Sequence, residues 1–247
     1  MSGSPRAQVA ATPLTPSQKA LLELTAAYAQ GYERRLPDFV CTRITRRSRD
    51  ASGAGERWRP LDTVEEELTF VNGHESYRLQ KFNGKPVKPS AHVTTGFKSA
   101  GEFADVLIGI FAAEAGAQFQ WERDENSGGQ HIGVFRFRVM REHSGYKVNQ
   151  GTKRVAVGFG GLLYANGDSG AVERMHIETD DPEGLPVGGI ATDIRFIEVA
   201  IAGQRYLLPG QAEARVRYKG GALKREMEFR DYRKYAAETA VEFEPPK

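Results

Sequence analysis

The chain has 247 residues, of which 40% are hydrophobic and 27% charged, an ordinary balance for a soluble globular protein. Its net charge of +2 argues against a generally basic nucleic-acid binder, and its single cysteine, Cys41, excludes an intramolecular disulfide. No run approaches the ~18 consecutive apolar residues that a membrane span needs, and a chain of this length can bury a core without disulfides or metals.

The N-terminal part predicts an unstructured leader followed by a helix. Residues 1–16 are rich in Ser, Pro, Ala and Thr without the apolar stretch of a signal peptide, so they are predicted to be disordered. Thr15 or Ser17 can cap a helix that stops by Leu36, because Pro37 disfavours helical geometry in the residue before it. Three- and four-residue spacing predicts one helix face formed by Leu21, Leu24, Tyr28 and Tyr32.

The apolar period then changes to two, which is typical of strands. Residues 38–48 are predicted to be a strand, 49–57 a mobile loop, and 64–82 a hairpin about Asn72-Gly73. A two-residue turn places Leu68 opposite Tyr77, and the face that it creates carries Leu68, Phe70, Tyr77 and Leu79.

One internal helix interrupts the strands. Ser99 and Glu102 match a capping box, and Gly116 is a natural C-terminal stop. An apolar stripe on this helix must dock on something apolar, and the nearest candidates lie in the following strands. The predicted ligand-binding residues are therefore Phe103, Val106, Leu107, Ile110 and Phe111 of the helix, with Phe119, Trp121, Phe135 and Phe137 of the strands. The alternative is a solid core in which helix and sheet leave no cavity.

The remainder of the chain is predicted to be strands and turns. The expected strands are 117–123, 131–140, 153–159, 162–166, 171–179, 191–202, 205–219 and 222–235. A turn at Gly220-Gly221 would set Tyr218 opposite Leu223 and Arg215 opposite Glu226. Consecutive hairpins predict a mainly β fold: one large antiparallel curved sheet or incomplete β-barrel, with the two helices on its concave face. Residues 17–244 are expected to form a single domain.

A short motif, "GDSG" (167–170), raises the question of a serine nucleophile. Trypsin-like enzymes need a histidine base and an oxyanion hole beside the serine. Here Ala171-Val172 follow in place of their Gly-Pro, and no histidine has the neighbourhood of their base. The small and polar residues of this motif are those of a tight turn between two strands. The strand that follows it is indicated by Met175 and Ile177, which alternate with polar residues. No catalytic residues are expected.

Other patterns are weaker. The five histidines lie far apart, with no metal-binding spacing, so no metal and no cofactor are expected. In Glu65-Glu66-Glu67 only Glu65 and Glu67 share a strand face, which is expected to be solvated. The segment 34–59 contains eight arginines and could meet phosphate headgroups or an acidic partner, or be an ordinary solvated strand face.

Over about residues 20–244 the chain resembles a group of uncharacterised, typically exported bacterial proteins. The resemblance rests on "LPDFVC" (36–41), "NGKPV" (83–87), "FQW" (119–121), "GLLYANGDSGAVERM" (161–175), "YLLP" (206–209) and "EFRDYRKY" (228–235). The order of elements is also similar to that of the outer-membrane lipoprotein-carrier (LolA-like) superfamily, although Ser169 stands where the carrier hairpin usually has Thr. That fold is an incomplete antiparallel β-barrel with helices over its open mouth.

The resemblance implies a non-enzymatic binding module for a lipid, an acyl chain or a lipidated or hydrophobic partner. It also implies a periplasmic or otherwise extracytoplasmic location, the alternative being cytoplasmic. Transient contact with a membrane surface fits this function, whereas a nucleic-acid partner does not. The second hypothesis is a protein-interaction or sensor domain that uses the outer sheet face and the arginine-rich segment 34–59. An enzyme comes third, since no set of residues supports one.

Overall fold

The computed structural model describes residues 13–88, 105–150 and 153–236. The helices are α1 (Pro16–Gln30), α2 (Tyr32–Arg35) and α3 (Asp105–Phe111), with 3-10 turns at Ala113–Ala115 and Arg141–His143. The first strands are β1 (Phe39–Asp50), β2 (Arg59–Val71), β3 (His74–Phe82), β4 (Lys85–Pro86), β5 (Gln118–Ser127), β6 (Gln130–Val139) and β7 (Lys147–Gln150). The others are β8 (Lys153–Ala156), β9 (Phe159–Asn166), β10 (Val172–Thr179), β11 (Val187–Ile201), β12 (Gln204–Tyr218) and β13 (Gly221–Lys234).

Eleven strands form one antiparallel curved sheet in the order β4-β3-β2-β1-β13-β12-β11-β10-β9-β6-β5. We call the apolar face on which α1 and α3 pack the inner face; it carries Phe39, Leu163 and Met227, all at most 3% exposed. The opposite face, with residues such as Arg46 and Asp193, is the outer face. This confirms the prediction of a mainly β protein with a single large curved sheet and helices on its concave side.

The sheet consists of two meanders joined in the middle. Strands β1 to β4 follow one another on one side, and β5, β6 and β9 to β13 on the other. The join is the pairing of the first strand with the last, in which Ile44 lies opposite Glu228. The edges are β4, which has two residues, and β5.

The two predicted hairpin registers have different outcomes. Leu68 lies opposite Tyr77, and Asn72 and Gly73 have φ values of 51° and 76°, as a two-residue turn of this kind requires. The expected pairing of Tyr218 with Leu223 is wrong, because Tyr218 faces Gly221. The turn uses Lys219-Gly220, with Gly220 at φ 99°, so the register differs by two residues and the same side chains keep the inner face.

Helix α1 is capped by Thr15 in a reciprocal capping box with Gln18, one of the two caps expected. Its buried face differs from the prediction, since Leu24 is 40% exposed. The buried residues instead follow the four-residue spacing of Leu21, Thr25 and Ala29, and Tyr32 of α2 continues the same row. Small side chains at two of these positions let the helix approach the sheet closely. Residues 1–12 of the predicted leader lie outside the described residues.

Of the segment 49–57, expected to be a mobile loop, the first two residues belong to β1 and residues 51–57 form a loop built on one carboxylate. The side chain of Asp50 accepts hydrogen bonds from the hydroxyl and backbone N–H of Ser52 and from the backbone N–H groups of Gly55 and Glu56. These bonds, with that from the Ser52 hydroxyl the strongest, hold the pKa of Asp50 well below its usual range. The loop is therefore fixed at the end of β1.

A second, smaller hydrophobic core lies beside this loop. The sequence predicted a strand at 153–159 as part of the main sheet. The strand β8 ends at Ala156 and, among the described strands, pairs only with β7, which was not predicted. The buried residues of this second core are Val148, Val157, Ile190 and Val216. The main core lies farther along the inner face, between the sheet and the helices.

Candidate functional site

Helix α3 inserts two side chains fully into the main core. Leu107 and Ile110 are 1% and 0% exposed, whereas Val106 and Phe111 are half-buried against the same cluster. Gly116, at φ 53°, ends the 3-10 turn that follows, as the sequence predicted for the end of this helical region. Phe103 and the proposed capping residues Ser99 and Glu102 lie outside the described residues.

The four strand residues predicted to bind ligand separate into two adjacent clusters. Phe137 belongs to the main core, where its ring meets Phe159 edge-on at 6.0 Å. Phe135 and Trp121, in edge-on contact at 5.1 Å, pack with Leu21 beneath the start of α1. Phe119 packs against both clusters. The predicted residues thus pack against the helices without an open space between them, some under α3 and some under α1.

An open cleft lies at a place that sequence reasoning missed. It has a volume of about 840 Å³ and lies between α1–α2, the β9–β10 turn and the β11–β12 hairpin; we call it the mouth cleft. Its apolar and aromatic lining consists of Tyr28, Tyr32, Leu36, Phe196, Tyr206 and Leu207. Its charged lining consists of Arg35, Asp168, Glu173, Glu198 and Arg205. Tyr32 and Phe196 also belong to the main core, so the cleft leads directly to it.

Aromatic contacts and one hydrogen bond set the shape of the mouth cleft. The rings of Tyr28 and Tyr32 lie 5.9 Å apart, and Tyr32 meets Phe196 edge-on at 6.2 Å. The Tyr32 hydroxyl donates to the backbone carbonyl of Leu207 at 2.7 Å, which ties α2 to β12. Burial raises the pKa of Tyr32, so this phenol stays protonated. The available sequence signal was the pair Tyr28 and Tyr32 on either side of Gly31, the residue at which α1 ends and α2 begins.

The "GDSG" stretch is a turn at the rim of the mouth cleft. The side-chain carbonyl oxygen of Asn166 accepts hydrogen bonds from the backbone N–H groups of Asp168 and Ser169 and from the Ser169 hydroxyl, each at 3.1 Å. Ser169 is exposed, and the backbone N–H of Gly170 closes the turn on the Asn166 carbonyl. The prediction of a turn is confirmed, and these bonds account for its sequence without a nucleophile.

The arginine-rich segment 34–59 does not form one patch. Arg43 and Arg47 point to the inner face, where they pair with Glu66 and Asp62. Arg46 points to the outer face and pairs with Glu228 at 3.1 Å. The period-two geometry of β1 places these residues on opposite sides of the sheet, so of the two possibilities that the sequence left open, the single basic patch is not formed.

The acidic triplet of β2 behaves as the strand period predicts. Glu65 pairs with Lys81 and Glu67 with Arg78, each at 2.7 Å, on the outer face. Glu66 lies on the inner face against Arg43, whose guanidinium carbon is 4.0 Å from the centroid of the Tyr77 ring. The triplet therefore serves cross-strand pairing rather than acid–base chemistry.

A second cleft, of about 710 Å³, crosses the outer face over β10 to β13 and β1, and most of the side chains that line it are charged. Arg174 donates to the carboxylate of Asp193, and His176 lies 3.5 Å from the same carboxylate and 3.2 Å from Glu178. The hydrogen bond to Asp193 is the main cause that raises the pKa of His176, against the effect of partial burial. Burial raises the pKa of Asp193, but the bonds from His176 and Arg174 outweigh it and bring that pKa to about 2.

Metal binding and thiol chemistry find little support in the described ranges 13–88, 105–150 and 153–236. There, no group of three or more His, Cys, Asp and Glu side chains is arranged to hold a metal ion. Each helix within those ranges is too short or too polar to cross a membrane. Cys41 is fully buried, and burial raises the pKa of its thiol to about 12, so it is unreactive at neutral pH.

No protein-family model matches this chain, and no curated protein matches it either. Among solved structures, it is similar to a LolA superfamily protein from Nitrosomonas europaea, with 13% identity, 88% of this chain and 93% of that one covered, and a TM-score of 0.41. It is similar to a DUF1329 family protein from Desulfovibrio piger, with 10% identity, 93% and 98% coverage, and a TM-score of 0.41. A domain described as that of an outer membrane lipoprotein-sorting protein from Vibrio parahaemolyticus has 11% identity, 92% and 95% coverage, and a TM-score of 0.38. The solved structures similar to this chain thus include a member of the LolA superfamily, which the sequence resembles in its order of elements.

Proposed function

We propose that residues 17–244 act as one non-enzymatic binding module for an apolar chain. The ligand would be a lipid, an acyl chain or a lipidated or hydrophobic protein segment, bound on the inner face of the sheet. The observation that carries the proposal is that the mouth cleft, about 840 Å³ in volume, is lined by Tyr32 and Phe196 of the main core. A volume of this size suits a small amphiphile.

Helix α3 is the part of the cover that such a ligand could displace. Seven of its residues are described, and this part is held by Leu107 and Ile110 together with the half-buried Val106 and Phe111. Full burial of two large aliphatic side chains contributes roughly 3–6 kcal/mol. An acyl chain gains about 0.8 kcal/mol for each buried methylene, so about ten methylenes exceed the docking energy of those two side chains.

In this proposal the predicted site residues have two roles. The residues of α3 move away with the helix: Val106, Leu107, Ile110 and Phe111. The apolar chain of the ligand then packs against the sheet residues that these side chains had covered. Phe119 and Phe137 stay in the sheet as the floor of the site. Trp121 and Phe135 pack beneath α1 and support that floor.

Native mass spectrometry of freshly expressed protein tests the proposal. We expect a co-purified lipid or, after delipidation, saturable binding of a fluorescent fatty acid. Absence of binding by any acyl probe would overturn the proposal. The resemblance of the sequence implies an extracytoplasmic location for this module, with a cytoplasmic one as the alternative, and cell fractionation with an antibody to the protein distinguishes them.

The charged cleft on the outer face favours a second candidate, an interaction or sensor domain. Its residues Arg174, His176 and Asp193 are held in an ordered network on rigid strands, as a specific polar contact surface requires. Since the arginines of segment 34–59 are divided between the two faces, only Arg46 of that segment lines this cleft. A pull-down in which Arg174→Ala abolishes capture of a partner, and mouth-cleft variants do not, would favour this candidate.

A further inference from the structure

The charges of the mouth cleft do not balance. Glu198 pairs with Arg205 at 2.8 Å on the exposed rim. Of the other charged residues that line the cleft, two are acidic, Asp168 and Glu173, and one is basic, Arg35. Glu173 accepts a hydrogen bond from the side-chain amide of Asn166 at 3.0 Å. Within the described part of the chain, neither Asp168 nor Glu173 has a cationic side chain as an ion-pair partner. The cleft therefore holds an excess of negative charge beside an aromatic wall.

One ring of that wall already binds a cation. The guanidinium carbon of Arg35 lies 4.5 Å from the centroid of the Tyr28 ring, and its Nη2 donates to the backbone carbonyl of Tyr28. The faces of aromatic rings attract cations within about 6 Å, and groups of such rings recognise ammonium ligands. Arg35 is an exposed side chain at the rim, so it can leave the ring without opening the core.

We propose that the mouth cleft binds an amphiphile whose polar end is an ammonium group. The cation takes the position of Arg35 on the ring of Tyr28, and the carboxylates of Glu173 and Asp168 balance its charge. The apolar chain passes Tyr32 and Phe196 to reach the inner face. This inference rests on the proposed function for the apolar chain and adds the chemistry of its head group.

Three probes built on ten-carbon chains separate the two proposals. Binding of decyltrimethylammonium, decanoate and decanol is measured by isothermal titration calorimetry below their aggregation concentrations. We expect the ammonium compound to bind about tenfold more tightly than decanoate, because it gains the ring contact and the favourable charge. Equal affinities for all three would overturn the ammonium inference and leave the proposed function standing, whereas no binding by any probe would overturn both.

Two substitutions locate the head group. Glu173→Gln keeps an acceptor for the Asn166 amide and removes one charge, so we expect weaker binding of decyltrimethylammonium by about threefold to tenfold, with decanol unchanged. Arg35→Gln removes the competing cation and is expected to strengthen ammonium binding. Glu142→Gln, at an exposed acid in the 3-10 turn Arg141–His143, is the matched control and should change neither affinity. If Glu173→Gln and Glu142→Gln behave alike, the head group does not lie in the mouth cleft.

Discussion

Phe111, the last residue of α3, stacks on Phe119 near the start of edge strand β5, with ring centroids 5.2 Å apart and planes inclined by 16°. This contact joins the short helix to the sheet at a half-buried position. Phe111→Ala should therefore destabilise the protein by about 1–3 kcal/mol, less than the 3–5 kcal/mol typical of a fully buried ring. It should also alter acyl-probe binding if α3 moves, and chemical denaturation with a binding titration measures both effects.

Phe135→Ala is the matched control for this helix. Its ring is fully buried beneath α1, so the substitution should cost about 3–5 kcal/mol through the cavity that it leaves. Any change in acyl-probe binding by the remaining folded protein should be smaller than that caused by Phe111→Ala, because Phe135 supports the floor of the site only from beneath α1. An equally large loss for Phe111→Ala, together with no acyl binding by wild-type protein, would show that α3 is part of a solid core.

Removal of only one partner of the ion pair between Arg43 and Glu66 should lower the free energy of unfolding considerably. Their side chains are 6% and 16% exposed, with the donor nitrogen 2.7 Å from the carboxylate. Glu66→Ala removes the carboxylate that pairs with this buried guanidinium and should cost about 3–5 kcal/mol. The double substitution Arg43→Met with Glu66→Leu should recover most of that loss in urea unfolding.

An exposed pair serves as the comparison for Glu66. Arg141 and Glu183 are 49% and 77% exposed, and Glu183→Ala should change stability by less than about 1 kcal/mol. Equal effects of Glu66→Ala and Glu183→Ala would mean that water reaches Arg43.

The Asn72-Gly73 turn should not tolerate a β-branched residue. Gly73 has φ 76°, a region that valine resists, and an added Cβ would also collide with the carboxylate of Glu33. Gly73→Val should cost on the order of 1–3 kcal/mol, measured as a loss in Tm or in unfolding free energy. Gly145 is exposed, with no atom within 4 Å of an added Cβ, so Gly145→Val should be close to neutral. A wild-type Tm for Gly73→Val would contradict the turn geometry.

His176 should make stability depend on pH. Its pKa is raised in the folded state, chiefly by Asp193, so its contribution is fully present below the unfolded pKa of about 6.5 and is lost as pH rises through the folded pKa. The Tm difference between wild type and His176→Gln should therefore be larger at about pH 5.5 than at about pH 8.5. His74→Gln, at an exposed position, is the control. An NMR titration in which Asp193→Asn fails to lower the pKa of His176 would contradict the assignment.

Local rules predicted those parts of the fold that local chemistry determines. The register of Leu68 against Tyr77 followed from the Asn-Gly turn, and the "GDSG" turn from its small and polar residues. The register of Tyr218 did not follow, because Lys219-Gly220 and Gly220-Gly221 are both acceptable turns and keep the same side chains on the inner face. Leu24 was assigned to the buried helix face because counting apolar residues favours a leucine over a threonine. The structure buries Thr25 instead, since the close contact between helix and sheet requires a small side chain at that position.

The candidate site was less predictable, since its parts are remote in sequence. The mouth cleft combines Tyr28 of α1, Glu173 of β10 and Tyr206 of β12, and only the sheet order brings these residues together. The apolar stripe of α3 was visible because it repeats within one helix. The sequence could thus indicate a docked helix without showing where the open space lies.

The pairing of β1 with β13 has a consequence for biosynthesis. Residues 39–50 leave the ribosome long before their partner on one side, residues 221–234. Until then β1 and β12 each present an unpaired edge in what becomes the centre of the sheet, where another chain could add. A nascent chain of this protein therefore needs protection until β13 emerges, and a chain that terminates before Gly221 is a candidate for aggregation or proteolysis.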